Sequence, residues 1–155
     1  MGEPGTGRSN RPELKRGYYL LNTDGGMESS GRRRPGEAPG EAAIGAVLKT
    51  PRMALVTEIS RVIGPATHNV AEYHALIEGL KLARGRGIDR IRVYLDSELV
   101  VDQMNGVSEV RQKHLKPLHA SARALVGEFA SIRICWVPRE MNAEADRLVN
   151  KALGH

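Results

Sequence analysis

The chain has 155 residues, with 23 Lys and Arg against 18 Asp and Glu, so its formal net charge is +5 at pH 7. This length suits one domain with its own core. The single cysteine, Cys135, excludes an intrachain disulfide and a cysteine-based zinc site, and no apolar run is long enough for a secretory signal or a membrane span. We therefore expect a cytoplasmic protein that does not engage membranes, and the basic surplus favours a polyanionic partner.

Residues 1–16 differ in composition from the rest of the chain, because they are polar and basic and contain several glycines and prolines. Such a segment cannot bury enough apolar surface to offset the entropy lost on ordering. We predict a flexible basic tail over 1–16 and one folded domain over 17–155.

The predicted domain begins with three strands. The β-prone run YYLLNTDGG ends in a glycine pair, which places Asp24 at the end of the first strand. Residues 25–41 are rich in glycine and proline and include Arg32–Arg34, so we predict a long loop there. Two further strands are predicted at 42–48 and 53–63. Three consecutive strands favour an antiparallel meander.

The second half alternates helices with strands. Apolar residues at helical spacing predict a long helix over 67–87, and the apolar run at 91–96 predicts a strand buried on both faces. The next predicted elements are a short helix at 97–106, a long helix at 112–130, a strand at 131–137 and a terminal helix at 142–153. Trp136, at the end of the last strand, is predicted to lie in the core. The order βββαβααβα describes an α/β fold with a mixed sheet flanked by helices.

Four acidic residues stand where a merely solubilising carboxylate would be poorly placed: Asp24, Glu72, Asp96 and Asp146. Two of them close strands, and the other two share a helix face with apolar residues. Taken singly, each has an ordinary explanation as a turn former, a helix start, a helix cap or a surface ion-pair partner. Taken together at one end of a sheet, they would repel unless a cation neutralised them. Oxygen ligands favour Mg²⁺ or Mn²⁺, and two such ions can clamp the attacking and leaving oxygens of a phosphodiester.

The residues around these acids resemble the four signature blocks of type 1 ribonuclease H. The blocks are TDGG at 23–26, THNVAEYHALIEGL at 67–80, LDSELVVDQMNG at 95–106 and WVPREMNAEADRLVNKAL at 136–153. The chain most resembles the compact prokaryotic members, because the segment 106–122 leaves no room for an extra basic helix. The resemblance implies the ribonuclease H-like fold, with three antiparallel strands followed by two parallel ones in a mixed sheet. It also implies that Asp24, Glu72, Asp96 and Asp146 are catalytic and bind the metal.

The same resemblance implies endonucleolytic hydrolysis of the RNA strand of RNA·DNA hybrids by a two-metal mechanism, leaving 5′-phosphate and 3′-hydroxyl ends. Mg²⁺ is the expected cofactor, with Mn²⁺ as an alternative, and the expected partner is the hybrid, bound by a monomer. The residues at motif positions that imply substrate contact are Gly25, Thr67, His68, Asn69, Ser97 and Asn142. Three of them, Thr67, Asn69 and Ser97, are also suitable helix caps.

Three features depart from the family pattern. The loop after Asp24 is expanded and carries Arg32–Arg34, which is either an electrostatic arm or a solvated insertion. His68 stands where an asparagine is common, and the loop 138–141 lacks the histidine of many members, with Arg139 or Glu140 as candidate substitutes. Two alternatives stay open: a catalytically weak hybrid-binding module, and another nuclease or polynucleotidyl transferase on the same fold.

Overall fold

The computed structural model describes residues 17–28 and 40–155, so the predicted tail at 1–16 and the Arg32–Arg34 run lie outside the described residues. The strands are β1 (Tyr19–Met27), β2 (Glu41–Lys49), β3 (Leu55–Pro65), β4 (Arg90–Leu95) and β5 (Ser131–Trp136). The helices are α1 (His68–Gly85), α2 (Glu98–Met104), α3 (Lys116–Val126) and α4 (Ala143–Ala152). Short 3₁₀ turns precede α3 and α4, at Lys113–Leu115 and Arg139–Asn142. The predicted order of strands and long helices is confirmed.

The strands form one five-stranded sheet in the order β3-β2-β1-β4-β5. The pairs β1–β2 and β2–β3 are antiparallel, whereas β1–β4 and β4–β5 are parallel. Parallel neighbours need a crossover connection, and here α1 carries the chain across the sheet from β3 to β4. The mixed sheet predicted from the sequence is therefore confirmed.

Helices cover the two faces of the sheet unequally. On one face α1 packs against β1 and β2, with α3 beside it, and on the other face α4 packs against β1, β2 and β3. The main core lies under α1 and includes Leu21, Tyr73, Leu76, Leu80 and Val93, all fully buried. None of the helices in the described ranges has the length and apolar character that crossing a bilayer requires.

Strand β1 continues beyond the point where the sequence predicts its end. Gly25 and Gly26 pair with Ile44 and Ala43 of β2, and the strand ends only at Met27. The glycine pair does not make a turn because antiparallel pairing with β2 holds it extended. Asp24 therefore lies inside β1, and the prediction that a loop begins at residue 25 is wrong.

Strand β4 is buried on one face only, so the prediction of two buried faces is wrong. Ile91, Val93 and Leu95 are buried, whereas Arg92 is exposed, because α4 packs over β1 to β3 rather than over this strand. The prediction of a core position for Trp136 is also wrong, since 49% of that residue is exposed. It stands at the last position of an edge strand, and its indole Nε1 donates a hydrogen bond of 3.3 Å to the backbone oxygen of Asp96.

Candidate active site

The four predicted acids line one cleft, with a volume of about 380 Å³, at the end of the sheet where β4 stops. Asp24 comes from β1, Glu72 from α1 and Asp146 from α4, and Asp96 directly follows β4. Residues distant in sequence therefore meet at one sheet end. Among the described residues, carboxylate oxygens of Asp24, Glu72 and Asp96 lie within 4.8 Å of one another, so this group can hold a metal ion.

The inner wall of the cleft, formed by Asp24 and Glu72, is buried: 6% and 1% of these residues are exposed. The backbone N–H of Gly25 donates a hydrogen bond of 3.0 Å to Glu72 Oε1. A Cβ atom at Gly25 would lie 2.2 Å from the backbone carbon of Ala71, so only glycine allows α1 to come this close to β1. The packing of α1 on β1 thus fixes the distance between the two acids.

The rim of the cleft, formed by Asp146 and Arg139, is set by the docking of α4. At Gly45 in β2, a Cβ atom would lie 2.3 Å from the backbone oxygen of Ala145, so this glycine lets α4 approach the sheet. Gly45 was not predicted from the sequence to be a functional residue. Its signal was a glycine inside a β-prone run, which often marks close approach of another backbone.

Asn142 joins the start of α4 to β1. Its side-chain Nδ2 donates a hydrogen bond of 2.9 Å to the backbone oxygen of Thr23, and its Oδ1 accepts one of 3.0 Å from Asn22 Nδ2. Asn142 is buried and does not line the cleft. These two bonds tie the start of α4 to the two strand positions directly before Asp24, and the role of Asn22 was missed from the sequence.

Burial and mutual repulsion make it unfavourable for the carboxyl groups in the cleft to ionise. Burial, followed by the negative charges of Glu72, Asp96 and Asp146, raises the pKa of Asp24 to about 9. Burial also raises the pKa of Glu72, against the opposing hydrogen bond and charge of His68. The pKa of Asp96 is raised by burial too, and the charge of Arg139 opposes that rise. A site of this kind favours a bound cation, or protons in its place.

Two basic side chains stand at the mouth of the cleft. His68 Nε2 lies 3.3 Å from Glu72 Oε2, and this hydrogen bond raises the pKa of His68. Arg139 Nη2 lies 3.7 Å from Asp146 Oδ1, with 80% of the arginine side chain exposed. Positive charge is therefore available where an anionic substrate would enter.

The other predicted substrate contacts lie at or near this cleft. Gly25, His68 and Ser97 line it, and Ser97 also caps α2 by accepting a hydrogen bond of 3.3 Å from the backbone N–H of Val100. Thr67 caps α1 by accepting one of 3.3 Å from the N–H of Val70. Thr67 and Asn69 stand at the start of α1 outside the cleft lining, so the structure brings the six residues to one region but only three into the cleft.

The chain is similar to known proteins in both sequence and structure. A family model described as reverse transcriptase-like matches residues 35–152. The curated protein "Bifunctional protein Rv2228c" of Mycobacterium tuberculosis is 40% identical over 135 residues, which are 86% of this chain and 35% of that protein. The chain thus spans about a third of the length of this curated relative.

Two solved structures match this chain over nearly their whole length. The crystal structure of RNase H1 from the halophilic archaeon Halobacterium salinarum NRC-1 is 36% identical with a TM-score of 0.80, over 88% of this chain and 98% of that one. LC11-RNase H1, solved in complex with an RNA/DNA hybrid, is 36% identical with a TM-score of 0.76, over 86% of this chain and 95% of that one.

Proposed function

The chain belongs to the type 1 ribonuclease H family, and we propose that it hydrolyses the RNA strand of RNA·DNA hybrids endonucleolytically, leaving 5′-phosphate and 3′-hydroxyl ends. The proposal rests on the close approach of Asp24, Glu72 and Asp96, whose carboxylate oxygens lie within 4.8 Å of one another. Asp146 lines the same cleft. The similarity to LC11-RNase H1, which was solved with a hybrid, supports the choice of substrate.

The four acids fit a divalent metal centre, because their donor set is oxygen only and a cation relieves their mutual repulsion. We propose Mg²⁺ as that cation and two ions as the working number, held by Asp24, Glu72, Asp96 and Asp146. When bound, the ions would supply an activated water and neutralise charge on the scissile phosphate. The protein itself contributes fixed positions, since the Gly25 N–H holds Glu72 in place before substrate arrives.

Substrate contacts follow from the placement of the motif residues. Gly25, His68 and Ser97 line the cleft, and we assign them contacts with the RNA strand next to the cut. Thr67 and Asn69, at the start of α1, are assigned to the flanking backbone. Recognition of a hybrid requires contact with the 2′-hydroxyl groups of its RNA strand in a shallow minor groove. The buried Asn142 would act by positioning β1 and α4 instead of touching the substrate.

A cleavage assay tests the proposal. A labelled RNA·DNA hybrid is incubated with Mg²⁺ and wild-type protein, with Asp24→Asn and Asp96→Asn as test variants and Glu58→Gln, an exposed acid on β3, as the matched control. We expect metal-dependent cutting of the RNA strand by wild type and control, and its loss in both test variants. Tight hybrid binding by the wild type without any cutting would show a binding module instead.

The substrate class is tested separately. Single-stranded RNA, duplex RNA and duplex DNA are compared with the hybrid under the same conditions. We expect preferential cutting of the hybrid, with 5′-phosphate on the downstream product. Preference for any of the other three nucleic acids would overturn the hybrid assignment, but it would not contradict the proposed metal centre.

A further inference from the structure

The open face of β4 and β5 carries a group of basic residues apart from the cleft. Arg92 and Arg133 are direct neighbours in the parallel register, so their side chains leave the sheet on the same side. Both are exposed, on the side of the sheet where α4 covers β1 to β3. We call Tyr18, Arg90, Arg92 and Arg133 the basic face.

Tyr18 orders two of these arginines. The Cζ atoms of Arg90 and Arg92 lie 4.5 Å and 4.8 Å from the centre of the Tyr18 ring. The hydroxyl group of Tyr18 shares a hydrogen bond of 2.6 Å with Ser131 Oγ, which anchors the ring to β5. Cation–π contact of this kind holds two guanidinium groups close together despite their repulsion.

Among the residues that the structure describes, none is an acidic partner of the arginines of the basic face. Within residues 17–28 and 40–155, neither Arg90, Arg92 nor Arg133 forms an ion pair, and the Arg90 Nε atom is buried without a hydrogen-bond partner. By contrast, Arg61 pairs with Glu78 at 3.2 Å. Arginines that are held close together without a counter-charge repel one another. A bound polyanion therefore stabilises them more than it stabilises arginines that already pair with an acid.

The basic face leads to the cleft along one strand. Arg90, Arg92 and Tyr94 alternate on the open side of β4, and Asp96 follows two residues later. Asp96 follows Arg92 by four residue steps of extended chain, which is a distance of roughly 13 Å. A nucleic acid strand advances ~3.4 Å per nucleotide, so roughly four nucleotides cover that distance.

We propose that the basic face binds the sugar–phosphate backbone of the hybrid where it extends beyond the cleft, about four base pairs from the cut. Arginine suits this partner because its planar fork pairs with phosphate oxygens in bidentate geometry. The inference rests on the proposed function for the identity of the nucleic acid. The contact itself depends on the charges of the open face and not on the catalytic acids.

Binding measurements across salt concentrations test the contact. The test variant R92Q/R133Q removes two charges from the basic face, and R92K/R133K keeps them. The matched control R61Q/K81Q removes two charges that have Glu78 as their partner. All proteins also carry Asp96→Asn so that a labelled hybrid stays intact, and thermal unfolding checks that each variant folds.

For a hybrid of about 30 base pairs in ~50 mM salt, we expect R92Q/R133Q to bind about five- to tenfold more weakly and to lower the slope of log K against log salt by about 1–2. R92K/R133K should keep most of the slope, and R61Q/K81Q should match the parent. Affinity and slope of R92Q/R133Q equal to those of the control would overturn the proposal.

Hybrid length locates the contact. A hairpin-closed hybrid of about 4 base pairs should bind R92Q/R133Q and the parent almost equally, since it ends before it can reach from the cut to the basic face. Equal weakening for the short and the long hybrid would also overturn the proposal. If wild-type protein does not cut hybrids, the proposed function fails. If wild-type protein cuts hybrids but R92Q/R133Q has an unchanged salt slope, only this inference is overturned.

Discussion

The inner wall and the rim of the cleft offer the same chemical group in two settings. Glu72, on the inner wall, is 1% exposed and takes a hydrogen bond from the Gly25 backbone. Asp146, on the rim, has 31% of its side chain exposed, and its cationic neighbour Arg139 lies 3.7 Å away in solvent. A carboxylate on the inner wall has lost most of its water, whereas a carboxylate on the rim keeps part of it.

The difference separates two tasks. Charge on the inner wall is unfavourable without a cation, so we expect its acids to bind a metal tightly and in a geometry that the backbone sets. The rim acid is screened by water and by an arginine, so it can adjust as substrate binds and leaves. Changes to the inner wall should therefore affect activity and stability more than changes to the rim.

The largest expected effect is on the rate of hybrid cleavage. We expect Glu72→Gln to lower kcat/KM by about 10³-fold or more, because it removes a charge from the closest-packed part of the metal site. Asp146→Asn should lower it by only about 10–100-fold. Steady-state cleavage of a labelled hybrid in Mg²⁺ gives both values, with Glu144→Gln, an exposed acid of α4, as control. An equal or larger loss in Asp146→Asn would reverse the assignment of wall and rim.

The next effect concerns the glycine that brings the two inner acids together. Gly25→Ala places a methyl group 2.2 Å from the Ala71 backbone, so α1 must move away from β1. Overpacking of this kind costs about 1–3 kcal/mol or more, which lowers Tm by roughly 5–10 °C. Activity should fall with it, because the hydrogen bond to Glu72 is stretched.

Gly26→Ala is the matched control for this substitution. Its added methyl group would meet a single side-chain atom, Val149 Cγ1 at 3.0 Å, and no backbone atom at that distance. Scanning calorimetry and a cleavage assay on both variants make the comparison. A Gly25→Ala protein as stable and active as Gly26→Ala would mean that the approach of α1 does not set the inner wall.

Much of this architecture could be predicted from the sequence. Helical spacing of apolar residues predicted α1, and the β-prone runs predicted all five strands, because these signals are local. The meeting of Asp24, Glu72 and Asp96 was predicted from their positions and from the family motifs, and the structure brings them together.

What could not be predicted depends on pairing between distant segments. Gly25 and Gly26 look like a turn in sequence, yet they are strand residues because β2 lies beside them. One face of β4 is open because α4 packs elsewhere on the sheet. The residues of the run IRVYL do not indicate where α4 packs. The tie from Asn142 to β1 joins residues about 120 positions apart, which single-sequence patterns do not detect.

A third expected effect is on stability in the absence of metal. Burial and neighbouring acids raise the pKa of Asp24 to about 9, from an ordinary value near 4, so the folded state holds a proton that the unfolded state releases. Stability should therefore fall as pH rises from about 4 towards 9. Asp24→Asn removes this loss, and we expect its Tm in EDTA to exceed that of wild type by several degrees at pH 8.

The same comparison at low pH and with metal completes the test. Near pH 4 the two proteins should unfold at similar temperatures, and Mg²⁺ at pH 8 should stabilise the wild type more than the variant. Asp89→Asn, at an exposed site before β4, should show no such pattern. A lower Tm for Asp24→Asn than for wild type at pH 8 in EDTA would show that the buried charge is not the unfavourable element.

The smallest expected effect is at the rim. Burial raises the pKa of Asp96 and the charge of Arg139 opposes that rise, so Arg139→Gln should let Asp96 bind any cation more readily, protons and metal alike. The Mg²⁺ concentration for half-maximal activity should therefore fall by about twofold, since the arginine is exposed and largely screened. The KM for hybrid should rise by about two- to fivefold at low salt, because a positive charge at the cleft mouth is lost.

These two changes have opposite signs, which a general loss of folding would not produce. Arg147→Gln, an exposed arginine next to Asp146 in sequence, is the control and should change neither value. Titrations of Mg²⁺ and of hybrid at low and at high salt give both constants. If Arg139→Gln raised the Mg²⁺ requirement, the arginine would support the metal site instead of competing with it, and the rim would belong functionally with the inner wall.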